Sequence, residues 1–200
     1  MSSGIVVLGS LASVGYISGR LAKDFDSVKE DKLSKIKVVQ LYSLLLGAAA
    51  WPSISILVLS KEWNEGKLMK SKIMWIVNLW VMAMFIFDTL LISHTPASDL
   101  DNASKQQHEI KNTFMSVVSS VFAFGVLLST ITKGERNRSS RAAKICITGL
   151  LLGLAFAIPV FDTEGDSIMT YSLLAVTKVA CIFAVGVFMS GVALELGDYL

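Results

Sequence analysis

Two side chains of opposite charge interrupt long apolar stretches of the sequence, where ionised groups are rare. Lys178 lies near the middle of the last stretch, and Asp88 lies toward the end of the third. A lysine at the centre of a membrane costs about 2.5–3.5 kcal/mol on insertion scales, so it is expected to face protein or water and to have a partner. We therefore predict that Lys178 pairs with Asp88. The pair would either fix the register of two helices or bind an ion, a proton or an anionic solute.

Two further polar side chains are candidates for hydrogen bonds inside the apolar part. Asn78 belongs to the same stretch as Asp88. Tyr171 precedes Lys178 by about two helical turns, so the two residues share one helix face. Both are therefore predicted to contribute to an intramembrane polar site.

The residue constellations of known catalytic sites are missing from the sequence. His94 and His108 share a polar connection with Asp99 and Glu109, but their spacing fits no metal-binding motif. The sequence contains no nucleophile elbow, no zinc-protease helix motif and no phosphate-binding glycine loop. We therefore predict no enzymatic activity, no cofactor and no metal site.

The elements that must hold these residues are continuous apolar stretches. Charged residues make up 17% of the chain and hydrophobic residues 53%, whereas soluble domains carry about 25% charge. A helix needs about 20 mostly apolar residues to cross a bilayer, and barrel strands would alternate in polarity instead. The sequence therefore predicts an all-α fold, a polytopic transmembrane helical bundle that forms a single domain with short loops. Its about six spans are predicted at residues 4–19, 36–59, 73–93, 113–132, 142–161 and 168–194.

Small residues at helical spacing predict close packing between helices. Lipid is as apolar as leucine, so membrane helices associate through close backbone approach and buried hydrogen bonds. We expect the small-residue faces to pack within the chain or, alternatively, against another subunit. The residues concerned are Gly15 and Gly19 in the first stretch, Ser116 and Ser120 in the fourth, and Ala180 and Ala184 in the sixth.

Basic residues in the connections indicate an orientation in the membrane, because short cytoplasmic loops are rich in Lys and Arg. The connections at 61–72 and 133–141 are basic, whereas those at 94–111 and 162–166 carry few Lys or Arg. This pattern predicts both termini on the cytoplasmic or equivalent face, although the lysines of the connection at 20–35 oppose it. The side chains predicted to hold anionic lipid headgroups are Arg136, Arg138 and Arg141.

Two hypotheses for function follow from these features. The first is a non-catalytic structural or assembly subunit of a larger membrane complex, such as an organelle complex or the internal membrane of a virion. Its partners would be membrane lipids and other membrane-protein subunits. Nucleic acid is not expected, because the net charge of only +2 is too small. The alternative is a small channel or transporter for ions or solutes that uses Lys178 and Asp88.

A weak internal repeat adds to the second hypothesis. The run Leu44–Gly47 is followed by Pro52, and the similar run Leu150–Gly153 is followed by Pro159. Aligning the second stretch with the fifth would give two inverted halves of three helices, and such inverted repeats are typical of transporters.

Overall fold

The structure of the protein is a computed structural model that describes residues 3–28, 31–59, 72–102, 105–112, 144–149, 151 and 167–196. Within this part of the chain no strand occurs, and the predicted all-α fold is confirmed. The helices bounded within it are α1 (Ser3–Ser27), α2 (Lys32–Val58), α3 (Lys72–His94), α4 (Ala97–Leu100) and α5 (Ile168–Leu196).

Four of these helices, α1, α2, α3 and α5, are long and apolar enough to cross a membrane. They correspond to the first, second, third and sixth predicted stretches. Residues 105–112 and 144–149 are also helical. The predicted stretch 113–132 and most of 142–161 lie outside the described residues, so the count of six spans remains a prediction.

Helix α2 lies at the centre of the bundle. The carboxylate of Asp31 caps its first turn by accepting hydrogen bonds from the backbone N–H groups of Leu33 and Ser34. The hydrogen bond from the Ser34 hydroxyl is the main cause that holds the pKa of Asp31 below its ordinary value of 3.8. Positions three and four residues apart fall on one helix face, and the buried residues of α2 follow that spacing. They are Ile36, Gln40, Leu44, Gly47, Trp51 and Ser55.

Helix α1 lies antiparallel to α2 at the edge of the bundle. Near its start, the Ser10 hydroxyl donates to the carbonyl oxygen of Ala49. Near its end, Asp24 accepts a hydrogen bond from the Tyr42 hydroxyl. Most of its remaining surface is exposed, so α1 is held in place by one neighbour among the described helices.

Helix α3 has one buried stripe and one exposed apolar face. The stripe runs through Val77, Val81, Phe85 and Ile92, and Asp88 occupies the next position of the same spacing between Phe85 and Ile92. Asp88 therefore points toward the interior of the bundle. The opposite face is apolar and exposed, which is compatible with contact to lipid. Its residues are Trp75, Ile76, Leu79, Trp80, Ile86, Phe87 and Leu90.

Helix α5 completes the core against α2 and α3. The ring of Phe183 stacks on Trp51 with centroids 6.0 Å apart and meets Phe85 edge-on at 5.5 Å. Gly186 is required here, because a Cβ at this position would lie 2.4 Å from the Trp51 ring. Gly47 of α2 likewise leaves room for Phe85.

The two ends of the bundle differ. At the end where α2 and α5 begin and α3 finishes, the Lys37 ammonium donates to the carbonyl oxygens of Ser93 and Thr95, each at 2.9 Å. We call this the open end, because a cavity described below has its mouth there. The aromatic contacts of Trp51 and Gly186 belong to the other half, which we call the closed half.

Candidate functional site

The predicted ion pair is present, and it is loose. The Nζ atom of Lys178 lies 3.5 Å from Oδ2 of Asp88, whereas direct charge-assisted N–H···O bonds usually measure about 2.7–2.9 Å. The Lys178 side chain is 32% exposed and that of Asp88 19% exposed. Neither group is sealed in the core, so both retain capacity for a third partner.

The pair is accessible because it lines a cavity of about 610 Å³ between α2, α3, α4, α5 and the helical residues 105–112. Lys178 and Asp88 lie in its deep part, together with apolar side chains of α2, α3 and α5. The mouth is at the open end, where the lining residues are polar and exposed. They are Asp99, Asn102, Lys105 and Glu109.

Gln40 is the least expected residue of the cavity lining. It lies on the buried stripe of α2 and is only 5% exposed. Its amide nitrogen Nε2 has no hydrogen-bond partner in the part of the chain that the structure describes. A buried donor without an acceptor costs about 1–3 kcal/mol, and this nitrogen is covered by its neighbours although the residue lines the cavity.

Tyr171 does not join Lys178, although both residues belong to α5. Its ring is buried, and its hydroxyl donates to Oδ1 of Asp101 at 2.7 Å. Lys32 lies 3.2 Å from the same carboxylate oxygen and 5.6 Å from the centre of the Tyr171 ring. The hydrogen bond from Tyr171, and then that from Lys32, hold the pKa of Asp101 below its ordinary value of 3.8. These three side chains, which we call the Asp101 clamp, tie α4 to the first turns of α2 and α5.

Asn78 is likewise separate from the ion pair. Its Oδ1 accepts hydrogen bonds from Trp51 Nε1 at 3.1 Å and from Ser55 Oγ at 2.8 Å. Its amide nitrogen donates to the Met74 carbonyl at 2.8 Å. Asn78 therefore joins α2 to α3 in the closed half, and its contacts are structural.

The predicted small-residue faces have different environments. Ala180 and Ala184 are buried in the bundle, as intramolecular packing requires. Gly15 and Gly19 are exposed, and a Cβ built at either would meet no atom of the described residues within 4 Å. The glycine pair therefore contacts no described helix, because α1 turns its other face toward α2, and its packing stays a prediction. The remaining predicted residues, Ser116, Ser120, Arg136, Arg138 and Arg141, lie outside the described residues.

Sequence reasoning missed the Asp101 clamp and the role of Gln40. Gln40 is a polar residue inside the predicted stretch 36–59, and this interruption was the signal that could have found it. Asp101 carried no comparable signal. It lies in a polar connection, and only the three-dimensional fold brings it beside Tyr171.

The described residues are all helical or in short connections, with four helices long and apolar enough to cross a membrane and, among three of them, a mainly apolar cavity that holds one ion pair. Within that part of the chain no group of three or more His, Cys, Asp or Glu side chains is placed to hold a metal ion. Comparison with known proteins found no matching family model, no matching curated protein and no matching solved structure.

Proposed function

We propose that this protein is an integral membrane protein that binds a small polar solute in the cavity and belongs to the channel or transporter class. The observation that carries the proposal is the loose Lys178–Asp88 pair in the deep part of an open cavity. A pair that only fixes helix register gains nothing from accessible space around it, because empty or wet space forfeits packing contacts. A pair that receives a solute needs that space.

The proposal includes six spans, for a reason of connectivity. Residues 105–112 begin at the open end, close to where α3 finishes. Residues 144–149 pack in the closed half, where a Cβ at Gly149 would lie 2.7 Å from the Ala184 carbonyl oxygen. Helix α5 then begins at the open end again. We propose that the chain passes between the two halves twice between residues 112 and 167, through the predicted stretches 113–132 and 142–161.

The proposed orientation assigns the mouth of the cavity to one side of the membrane. The basic connections at 61–72 and 133–141 favour the cytoplasmic face for the closed half. The mouth would then open on the opposite side. Trp51, Phe85 and Phe183 lie beyond the cavity and separate it from the cytoplasmic end. In the proposed state the site is accessible from the side on which the mouth opens.

Flux into proteoliposomes tests the proposal. The full chain would be reconstituted, and osmotic swelling would be measured with a panel of small solutes: urea, glycerol, glycine, choline chloride and sodium acetate. We expect at least one solute to pass faster than into empty liposomes, and we expect Lys178→Gln and Asp88→Asn to slow its entry. Lys23→Gln is the matched control, because Lys23 is exposed on α1 and is not among the residues that line the cavity. Equal swelling of all liposomes, or wild-type rates in both cavity variants, would refute the proposal.

One observation favours the assembly subunit as a second candidate. Helix α1 exposes Gly15, Gly19 and Tyr16 on a face that no described residue covers. An assembly subunit would use such a face to contact another membrane protein, since small residues permit close approach. Native gel electrophoresis of the particle extracted in mild detergent separates the two candidates. A large particle of defined composition supports the assembly role, and a particle of the chain alone opposes it.

A further inference from the structure

We infer that the cavity takes a small organic zwitterion, a molecule with one ammonium and one carboxylate group, and this inference rests on the proposed solute-binding function. The ammonium would lie against Asp88. The carboxylate would lie against Lys178 and accept a hydrogen bond from the amide of Gln40. Three features of the cavity support this class of ligand over a simple cation or anion.

The first feature is the balance of charge in the deep part of the cavity. Lys178 and Asp88 are of opposite sign and lie 3.5 Å apart. A single ion would pair with one of them and leave the other without its partner. The site would then carry a net charge in a region of low dielectric constant. A zwitterion contacts both groups and leaves the site neutral.

The second feature is the unpartnered amide nitrogen of Gln40. Gln40 lines the same cavity, but the nitrogen itself is covered in this structure, so the amide must turn for a ligand to reach it. A donor favours a ligand oxygen, and a carboxylate oxygen accepts such a bond more strongly than a neutral oxygen does. Turned into the cavity, the Gln40 amide would add a second donor for the anionic end of the ligand.

The third feature is the size and the apolar wall of the cavity. Its volume of about 610 Å³ falls in the range of small-molecule sites, about 300–1,000 Å³, and far exceeds what a dehydrated inorganic ion fills. Leu44, Met84, Ile92, Leu174 and Ile182 line it. These side chains suit an aliphatic portion between or beside the two charged groups.

The test compares ligands that share one carbon skeleton and differ in charge. L-leucine is a zwitterion, 4-methylpentanoate lacks its ammonium group, and 3-methylbutylamine lacks its carboxylate. Glycine betaine and γ-aminobutyrate extend the zwitterions to other lengths. Binding to the purified full chain in detergent would be measured as the rise in Tm across a concentration series. We expect at least one zwitterion to raise Tm by about 3 °C or more at ten times its Kd, and the two singly charged analogues of leucine to raise it less.

Variants connect that binding to the three side chains. We expect Lys178→Gln, Asp88→Asn and Gln40→Leu each to weaken binding of the zwitterion at least tenfold, and Lys23→Gln to leave it unchanged. Gln40→Leu keeps the test decisive if either charge variant fails to fold, because leucine suits this apolar position. The double variant Lys178→Asp with Asp88→Lys restores the pair and should recover part of the binding.

The outcomes distinguish this inference from the function on which it rests. If a singly charged analogue binds as well as the zwitterion and still needs Lys178 or Asp88, the ligand class is wrong and solute binding stands. If no zwitterion raises Tm while another solute enters proteoliposomes, the ligand class is again wrong and the solute-binding function stands. If no probe binds and no solute enters, both proposals fail.

Discussion

The closed half and the open end of the bundle are built from the same helices, α2, α3 and α5, but the helices pack closely in one and separate in the other. In the closed half the helices meet through rings and glycines, and Asn78 joins two of them by accepting hydrogen bonds from Trp51 and Ser55. The Ser53 hydroxyl of α2 is buried there without a partner among the described residues. At the open end the same helices separate around a cavity, and the Gln40 nitrogen in its lining is left without a partner. Each half therefore holds one unpartnered polar atom, and the difference between them is one of packing: the closed half is filled by rings, whereas the open end leaves space for a bound molecule.

The largest effect is expected from Gly186→Ala in the closed half. A Cβ there would lie 2.4 Å from the Trp51 ring, which is held by its stack on Phe183. Overpacking of this kind costs about 1–3 kcal/mol, and we expect the upper part of that range. The measurement is thermal unfolding of the purified chain in detergent.

Gly15→Ala is the matched control for that variant. The added methyl group meets nothing within 4 Å in the described part of the chain, and alanine favours a helix over glycine by about 0.5–1 kcal/mol. We expect an unchanged or higher Tm. Equal losses at Gly15 and Gly186 would mean that the closed half is no more tightly packed than the surface of α1.

The next effect is expected from Asn78→Ala, which removes the acceptor shared by Trp51 Nε1 and Ser55 Oγ. Two donors between α2 and α3 then lose their partner, at a cost of about 2 kcal/mol. Thr89→Ala serves for comparison, because the Thr89 hydroxyl donates only to the Phe85 carbonyl of its own helix. Thermal unfolding of both variants in the same detergent gives the difference in Tm. Equal Tm values for Asn78→Ala and Thr89→Ala would contradict the role of Asn78 in joining α2 to α3.

A smaller effect on stability is expected from Lys178→Gln at the open end. The pair is loose and both side chains are partly exposed to the cavity, so water hydrates Asp88 when its partner is removed. We expect a loss below about 1 kcal/mol. A register-fixing pair sealed in the core would instead lose about 3–5 kcal/mol when one partner is removed. A loss in that higher range, measured by thermal unfolding, would show that the ion pair stabilises the fold and is not a binding site.

The smallest effect is expected from the Asp101 clamp, and it depends on pH. The pKa of Asp101 is lowered by the hydrogen bond from Tyr171 and by Lys32. A lowered pKa in the folded state means that the clamp stabilises the fold above the unfolded value, near 3.8, and that this contribution is lost as the pH falls through the folded pKa. We expect Asp101→Asn to reduce the Tm slightly at pH 7.

The same variant should differ less from the wild type as the pH falls below about 4, since protonation removes the charge that the substitution already lacks. Tm measured from pH 3 to pH 7 checks this convergence. A difference between variant and wild type that is constant over the range would show that the charge of Asp101 is irrelevant to the clamp.

The sequence was sufficient for those features that depend on one helix at a time. Long apolar stretches predicted α2, α3 and α5, and the rarity of charge within them identified Lys178 and Asp88. What the sequence did not reveal depends on which faces of different helices meet. The position of Asp101 beside Tyr171, the separation of Asn78 from the ion pair and the exposed side of Gly15 all follow from helix rotation, which hydropathy leaves undetermined.

The late position of α5 in the chain has a consequence for the order of synthesis. This helix follows α2 and α3 along the chain, yet it supplies Lys178 to Asp88 and Phe183 to the aromatic contacts. Until the ribosome has made it, the nascent chain holds a carboxylate in α3 with no counter-charge and a Trp51 ring with no cover. We expect chains truncated before residue 167 to be recognised by cellular quality control and degraded, so the last described helix would act as the checkpoint for a completed bundle.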